Sequence, residues 1–408
     1  MITKARLLER ARVQELRPTT VEKDYVLGWM LAAISNHPRL SEWVFKGGTC
    51  LKKCFFETYR FSEDLDFTIP TEMDLSPEAI KESLVEVGAW VEEQTGIRVP
   101  AEKITVEKYT NPRGRESYQA KVAYACHFNI SGSNLQRIKF DITQDELLAD
   151  TPDHRAVSHP YEDAQDPAPL VRCYSVDEIL AEKTRALYER EGRARDVYDL
   201  VHLSRNFRGS IKPAKASEIL RRKFEFKELP APTVALIVER VGEETLRANW
   251  EHQLGHQVPK LPPVDGFLSD LTDAIAWWFE PEQAQQLLRS APGEPGEDVV
   301  PQQHFPSVRR AGRDPSLPSE ATIGLEWLDR VRYAARNRLC AEIRYHGAAR
   351  IVEPYSLRHP RTGNTLLYAY ELLRGGRRSD TLKSFNVGEI QAAAITDRPF
   401  SPRYRVEL

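Results

Sequence analysis

Two short segments constrain this chain more than anything else in it. Phe45-Lys46-Gly47-Gly48-Thr49 is followed, a short helix later, by Arg60-Phe61-Ser62-Glu63-Asp64-Leu65-Asp66-Phe67. The order predicts a strand, a glycine turn, a helix and then Asp-x-Asp on a second strand. Glycines carry no Cβ, so Gly47 and Gly48 let the backbone come close to a triphosphate. The amides that open the next helix suit phosphate oxygens. Residues two apart on a strand share a face, so Asp64 and Asp66 converge. Converging carboxylates suit Mg²⁺, a hard cation that bridges to substrate phosphates. Lys46, Thr49, Arg60 and Ser62 surround the same turn and are candidate phosphate contacts. Each piece alone is common; the ordered combination is specific.

The rest of the chain must supply a scaffold for that turn. At 408 residues and 41% hydrophobic it is long enough for two or three domains with real cores. No apolar run approaches the roughly 18 residues of a membrane helix. Residues 1–16 are charged and lack the apolar centre of a signal peptide. Five cysteines without framework spacing point to a reducing, cytoplasmic setting. Cys50 and Cys54 read as small core-facing residues and not as a metal pair, because no further Cys/His pair accompanies them.

Periodicity outlines the elements. Thr20–His37 and Ser76–Thr95 read as helices, and Trp43–Lys46 and Leu65–Ile69 as strands around the glycine turn. Tyr118–Ile130 and Ile138–Ile142 alternate and form a hairpin across Ser131–Asn134. Lys139 and Asp141 then point away from the apolar face, as a plain surface pair or as part of a site. Tyr174–Arg190 is a helix opened by a capping box, Ser175-x-x-Glu178. Lys183 falls on its apolar stripe, either buried for a reason or with its head in water at the stripe's edge. A further helix starts at Arg193, where Asp196 and Asp199 favour the N-terminal dipole. Ala214–Phe279 is mostly helical.

Glu22–Leu27 (EKDYVL), Phe45–Lys53 (FKGGTCLKK) and Arg60–Phe67 (RFSEDLDF) resemble the nucleotidyltransferase toxins of the AbiEii/AbiGii type. DEILAEKTRAL followed by RARDVYDL resembles their third and fourth motifs, and the likeness runs from about residue 20 to 282. It implies an α/β, polymerase-β-like core to about 170 and a helical half to about 290. It implies an NTP substrate, Mg²⁺, a third carboxylate at Asp141, a phosphate-contacting Lys183 and an essential Asp196. The gap from Gly48 to Asp64 is longer than in the wider polymerase-β-like superfamily, while RFSEDLDF fits the toxin subgroup. The implied acceptor is a tRNA 3′ end, and the implied setting is a toxin–antitoxin or phage-defence system with a cognate antitoxin. A protein hydroxyl as acceptor, or a binding protein on an inactive transferase scaffold, stays open.

The end of the chain differs in composition. Residues 291–320 are Pro/Gly-rich and read as a linker, which implies a separable module beyond it. From Arg330 to Leu408 there are fifteen Lys+Arg against seven Asp+Glu, all but one of the cations arginine, on a chain of net charge −3. That balance points to an anionic partner, a nucleic acid or nucleotide, or else only to a basic surface. Ala341–His346, Ala349–Pro354 and Thr365–Leu372, with one more strand in the SFNVGEI stretch, suit a small SH3-like β-barrel over 321–408. The wording resembles a WYL domain, a bacterial ligand-sensing module, with Leu366-Leu367-Tyr368 at the namesake position. Tyr345, Arg350, Arg374, Arg377 and Lys383 are its candidate anion contacts.

Overall fold

The structure, a computed structural model, describes residues 1–56, 59–71, 73, 75–110, 116–128, 135–294, 296–300, 326–361 and 363–408. The hairpin turn at Ser131–Asn134 and most of the linker lie outside the described residues.

Two helices open the chain, α1 (Lys4–Val13) and α2 (Pro18–Asn36). α2 is buried over nearly its whole length, so its apolar residues run all round it instead of along one stripe. Next come β1 (Val44–Lys46), the short α3 (Gly47–Cys50), a π turn over Leu51–Phe55 and β2 (Asp64–Thr68). The helix α4 (Pro77–Thr95) starts on Ser76, which accepts from the Ala79 N–H, and stops at left-handed Gly96. β3 (Ile104–Thr110), β4 (Glu116–Tyr124), β5 (Gln136–Thr143), β6 (Asp153–Ala156) and β7 (Leu170–Cys173) follow. The seven strands make one mixed sheet in the order β3-β4-β5-β2-β1-β7-β6.

Strand alternation sorts the two faces of this sheet. Leu65, Phe67, Ala120, Val122, Ile138, Phe140 and Ile142 are buried. Asp64, Asp66, Gln119, Lys139 and Asp141 occupy the alternate positions. β2 pairs in parallel with β5, setting Asp66 opposite Asp141 and Asp64 opposite Lys139. β4 continues the row with Gln119 opposite Asp141.

The helical half is α5 (Val176–Glu189), α6 (Ala194–Asn206), α7 (Pro213–Phe226), α8 (Val234–Glu239), α9 (Glu243–Leu254) and α10 (Val264–Phe279). Only half of the predicted capping box forms on α5. Ser175 accepts from the Glu178 N–H, but the Glu178 carboxylate is taken by Lys223 and the Ala149 N–H.

The C-terminal part comprises β8 (Asp298–Val299), α11 (Glu326–Arg336), β9 (Leu339–Tyr345), β10 (Ala348–His359), β11 (Leu366–Arg374), β12 (Arg377–Asn386) and β13 (Ile390–Pro399). Its strands pair antiparallel in the order β12-β11-β10-β9-β13, with β8 on β10. No ladder joins β12 to β13 among the described residues. The expected barrel is therefore seen as an open sheet, whose second layer is α11 packed on β9 and β13. The stretch read as one last strand holds two, β12 and β13, split by the turn at Val387–Glu389.

This part is not strung loosely behind the linker. Residues at its start are bonded to the body: Tyr198 donates to Asn337 at 2.7 Å, Asn206 to the Arg336 carbonyl, and Tyr333 to the Lys260 carbonyl. The buried Arg336 guanidinium lies over the Phe207 ring. Tyr198, His202 and Asn206 recur at i, i+4 and i+8, so one stripe of α6 faces α11. His202 stacks on Tyr198 there, and burial, with Arg336 nearby, pushes its pKa down to about 3.

Candidate active site

The glycine turn closes on the carboxylates themselves. Gly47 has φ +79°, and a Cβ there would stand 2.3 Å from the Asp66 carboxylate. A Cβ on Gly48 would stand 2.6 Å from the Arg60 guanidinium. Both positions need glycine because the turn packs against the site's own charges. Thr49 is buried and its hydroxyl donates to the Asp64 carbonyl at 2.5 Å, tying α3 to β2.

A cavity of about 840 Å³ collects most of the residues singled out from the sequence. Lys46, Gly47, Gly48, Arg60, Ser62, Asp64, Asp66, Asp141, Lys183 and Asp196 all line it. Thr49 does not. Burial first, then the neighbouring Asp141 and Asp64, push the Asp66 carboxyl up to about 7. The three carboxylates are partly held by cations. Asp64 takes Arg195 at 3.4 Å, and Asp141 takes Lys139 at 2.6 Å. These are hard oxygen donors on one sheet face, a donor set that fits Mg²⁺.

Facing the carboxylates is a buried charge cluster on α5 and α6. Lys183 pairs with Asp196 at 2.9 Å and Asp199 at 2.7 Å. Arg60 grips Asp199 with two bonds of 2.7 Å each and donates to Gln257. Burial raises the Asp199 carboxyl, but Arg60 and Lys183 outweigh it and hold the group below its ordinary value. Asp196 is likewise held well below the carboxylate range by Lys183 and Arg193 against burial. Arg60 was expected at the triphosphate. Its fork is taken by Asp199, so its contact in the structure is that of a clamp between the Asp-x-Asp turn and α6. Lys46 donates to Glu182 at 2.6 Å, and Glu182 and Glu146 outweigh burial to keep it more basic than usual.

Sequence reasoning passed over several residues in this cavity. Glu182, Glu146, Arg185, Lys227 and Arg195 all line it. Glu182 adjoins Lys183 and Arg195 adjoins Asp196, but nothing in the helical spacing points either of them at a site. Asp199 was read only as a dipole partner; its i+3 spacing from Asp196 was the available signal of a shared face. Cys50 and Cys54 are joined by Cys173, all three buried, with their sulfurs within 4.8 Å of one another. Among the described residues this is the one such close group of three metal-ligating types, which the chain spacing could not reveal.

Three of the candidate anion contacts of the C-terminal sheet, Tyr345, Arg350 and Lys383, come together, but around acids and not an open site, with the Arg350 guanidinium over the Tyr345 ring. Arg350 and Lys383 both bond the fully buried Glu371, and Tyr345 donates to Glu389. Arg374 and Arg377 are exposed and face each other across the β11–β12 turn.

Carboxylates on one strand face, a glycine turn and a cationic helical wall around one cavity are the parts of a nucleotidyltransferase. Residues 29–281 match the family described as nucleotidyl transferase AbiEii toxin, type IV toxin–antitoxin system. The chain belongs to that family. Among solved structures it is similar to MenT4, a nucleotidyltransferase toxin from Mycobacterium tuberculosis H37Rv, at 21% identity and a TM-score of 0.44, over 68% of this chain and 90% of that one. No curated protein matches. Among the described residues no helix is long and apolar enough to cross a membrane.

Proposed function

We propose that this nucleotidyltransferase moves a nucleoside monophosphate from an NTP to the terminal hydroxyl of a tRNA. The observation that carries the reading is the single cavity shared by Asp64, Asp66, Asp141 and Lys46 on the sheet wall and Lys183 on the helical wall. Asp64, Asp66 and Asp141 would hold Mg²⁺, which when bound supplies charge neutralisation at the reacting phosphates. Lys46 and Lys183 face the triphosphate, and the glycine turn lets it approach the sheet. The acceptor oxygen bonds to the α-phosphorus as the bond to the β-phosphate bridge breaks, and pyrophosphate leaves. Asp141 helps to accept the hydroxyl proton. Asp196 is a weak base, because two cations, Lys183 and Arg193, lower its proton affinity; its part is to position Lys183. The tRNA acceptor rests on the family resemblance.

The C-terminal sheet is proposed as a WYL-like regulatory module whose anionic ligand, a nucleic acid or nucleotide, meets exposed Arg374 and Arg377 and not the neutralised Arg350 and Lys383. A cytoplasmic setting and a cognate antitoxin complete the reading. Purified protein incubated with Mg²⁺, each labelled NTP in turn and total RNA tests it. Label on tRNA that is absent with Asp66→Ala supports it. Label on protein alone favours a protein acceptor, and none on either polymer favours the inactive scaffold.

A further inference from the structure

Two lips of the same cavity carry side chains that the proposed chemistry does not use. Tyr109, on the sheet side, is 46% exposed and lines the cavity. It makes no ring contact and no side-chain hydrogen bond among the described residues. Arg190, just past the end of α5, lines the cavity from the helical side. Its guanidinium is exposed and has no partner among the described residues, while Arg185, Arg193, Arg195 and Lys227 on the same wall are all ion-paired.

Strand register fixes where Tyr109 stands relative to the reacting centre. Thr68 pairs with Thr143, Thr143 with Ser117, and Ser117 with Tyr109. Cross-strand partners share a face, and each member of this row lies two residues along from the row Asp66–Asp141–Gln119. Tyr109 is therefore on the carboxylate face, three strand spacings or about 14 Å across the sheet from Asp66. That is too far to touch the reacting phosphate, and it lies at the outer edge of the sheet. The cavity volume, about 840 Å³, is near the top of the ordinary range for small-ligand pockets, about 300–1,000 Å³, so the triphosphate need not fill it.

We propose that Tyr109 and Arg190 form the acceptor subsite, in which a base upstream of the reacting hydroxyl stacks on the Tyr109 ring and a backbone phosphate of the same strand meets Arg190. The occupant is a single-stranded RNA 3′ end. A polyanion with flat bases matches an aromatic platform on one lip and an unpaired cation on the other, ring and charge being what serves single strands generally. A protein acceptor offers no such repeat of ring and charge. This inference rests on the proposed reaction, but it can be measured by binding alone.

The test uses the full-length protein and a 5′-labelled, short single-stranded oligoribonucleotide, followed by fluorescence anisotropy at low and moderate salt. Tyr109→Ala should weaken binding on the order of tenfold, as for the loss of one stacked base. Tyr109→Phe should bind like the unaltered chain. Arg190→Ala should weaken binding more at low salt than at moderate salt, because it removes one phosphate contact. NTP affinity should not change in any of the three. Equal binding by the unaltered chain and Tyr109→Ala, or an equal loss of NTP affinity, would overturn the subsite. A protein that binds the oligonucleotide through Tyr109 yet transfers no nucleotide to any RNA would keep the subsite and refute the proposed reaction.

Discussion

Two buried charge clusters in this molecule are near mirror images. On the body, Asp199 sits between Arg60 and Lys183. In the C-terminal sheet, Glu371 sits between Arg350 and Lys383. Each has a fully buried carboxylate gripped by two cations. What separates them is what lies next door. Lys183 goes on to a second carboxylate, Asp196, and the group borders the cavity that holds Asp64, Asp66 and Asp141. The Glu371 cluster joins neighbouring strands, with Glu371 two positions from Ala369, the register partner of Lys383. The same residue types thus hold a site in one place and a sheet in the other. A basic composition, which drew attention to the C-terminal arginines, does not distinguish charges available to a ligand from charges already spent.

The comparison can be broken most directly at the carboxylate face. Asp66→Ala should lower nucleotide transfer by about a hundredfold or more, since removing a fixed transition-state contact costs that order. Its melting temperature should hold or rise, because the change relieves repulsion with Asp64 and Asp141. Wild-type turnover in this variant would remove the carboxylate reading.

The two clusters can then be opened in parallel. Asp199→Asn should cost on the order of 3 kcal/mol, because it leaves two buried cations without their counter-charge, and Glu371→Gln should cost less, because of its two cations only Arg350 is buried while Lys383 reaches water. Denaturant midpoints would measure that. Only Asp199→Asn should also reduce transfer, assayed well below its melting temperature. Equal losses of transfer in both variants would end the distinction. Lys183→Met sharpens the same point. From the sequence it should spare the helix, since methionine is a good helix former. The structure reverses this: the variant leaves Asp196 and Asp199 facing each other buried, so the protein should melt earlier as well as transfer more slowly.

The smallest effect expected is one of pH. Burial would raise the Glu146 carboxyl, but Lys223, Arg185 and Lys46 hold it at about 2, against 4.5 ordinarily. A lowered folded-state pKa adds stability that is fully present above about 4.5 and is lost as pH falls toward about 2. Melting temperatures recorded down that interval should fall, and Glu146→Gln should flatten this part of the drop. An unchanged slope in the variant would assign the acid sensitivity to other carboxylates.

How much could be read in advance follows from how local each signal is. The glycine turn, Asp-x-Asp and the α5 cap are written within a few residues, and their elements form where the pattern put them. From its own residues Asp141 was readable only as a face; that it neighbours Asp66 came from the family likeness, because the pairing is a parallel contact between strands far apart in sequence. Arg60 lay beyond sequence reading for a related reason. Its partner Asp199 is 139 residues away, and only the packed fold shows that its fork is occupied. The same holds for Cys173, which joins Cys50 and Cys54 through the β1–β7 pairing.

The docking of α11 on α6 has a thermodynamic consequence. One helix presents Asp196 to the cavity, holds Asp199 buried behind it, and turns Tyr198, His202 and Asn206 to the C-terminal part. Neither half can melt without stripping neighbours from that helix, so heat should take both in a single calorimetric transition and not in two. Cutting the chain before α11 would uncover Phe207 and leave the Tyr198 hydroxyl and Asn206 amide in search of water. The fragment would then be a weakened body with its reacting groups on a loosened wall, not a free-standing transferase.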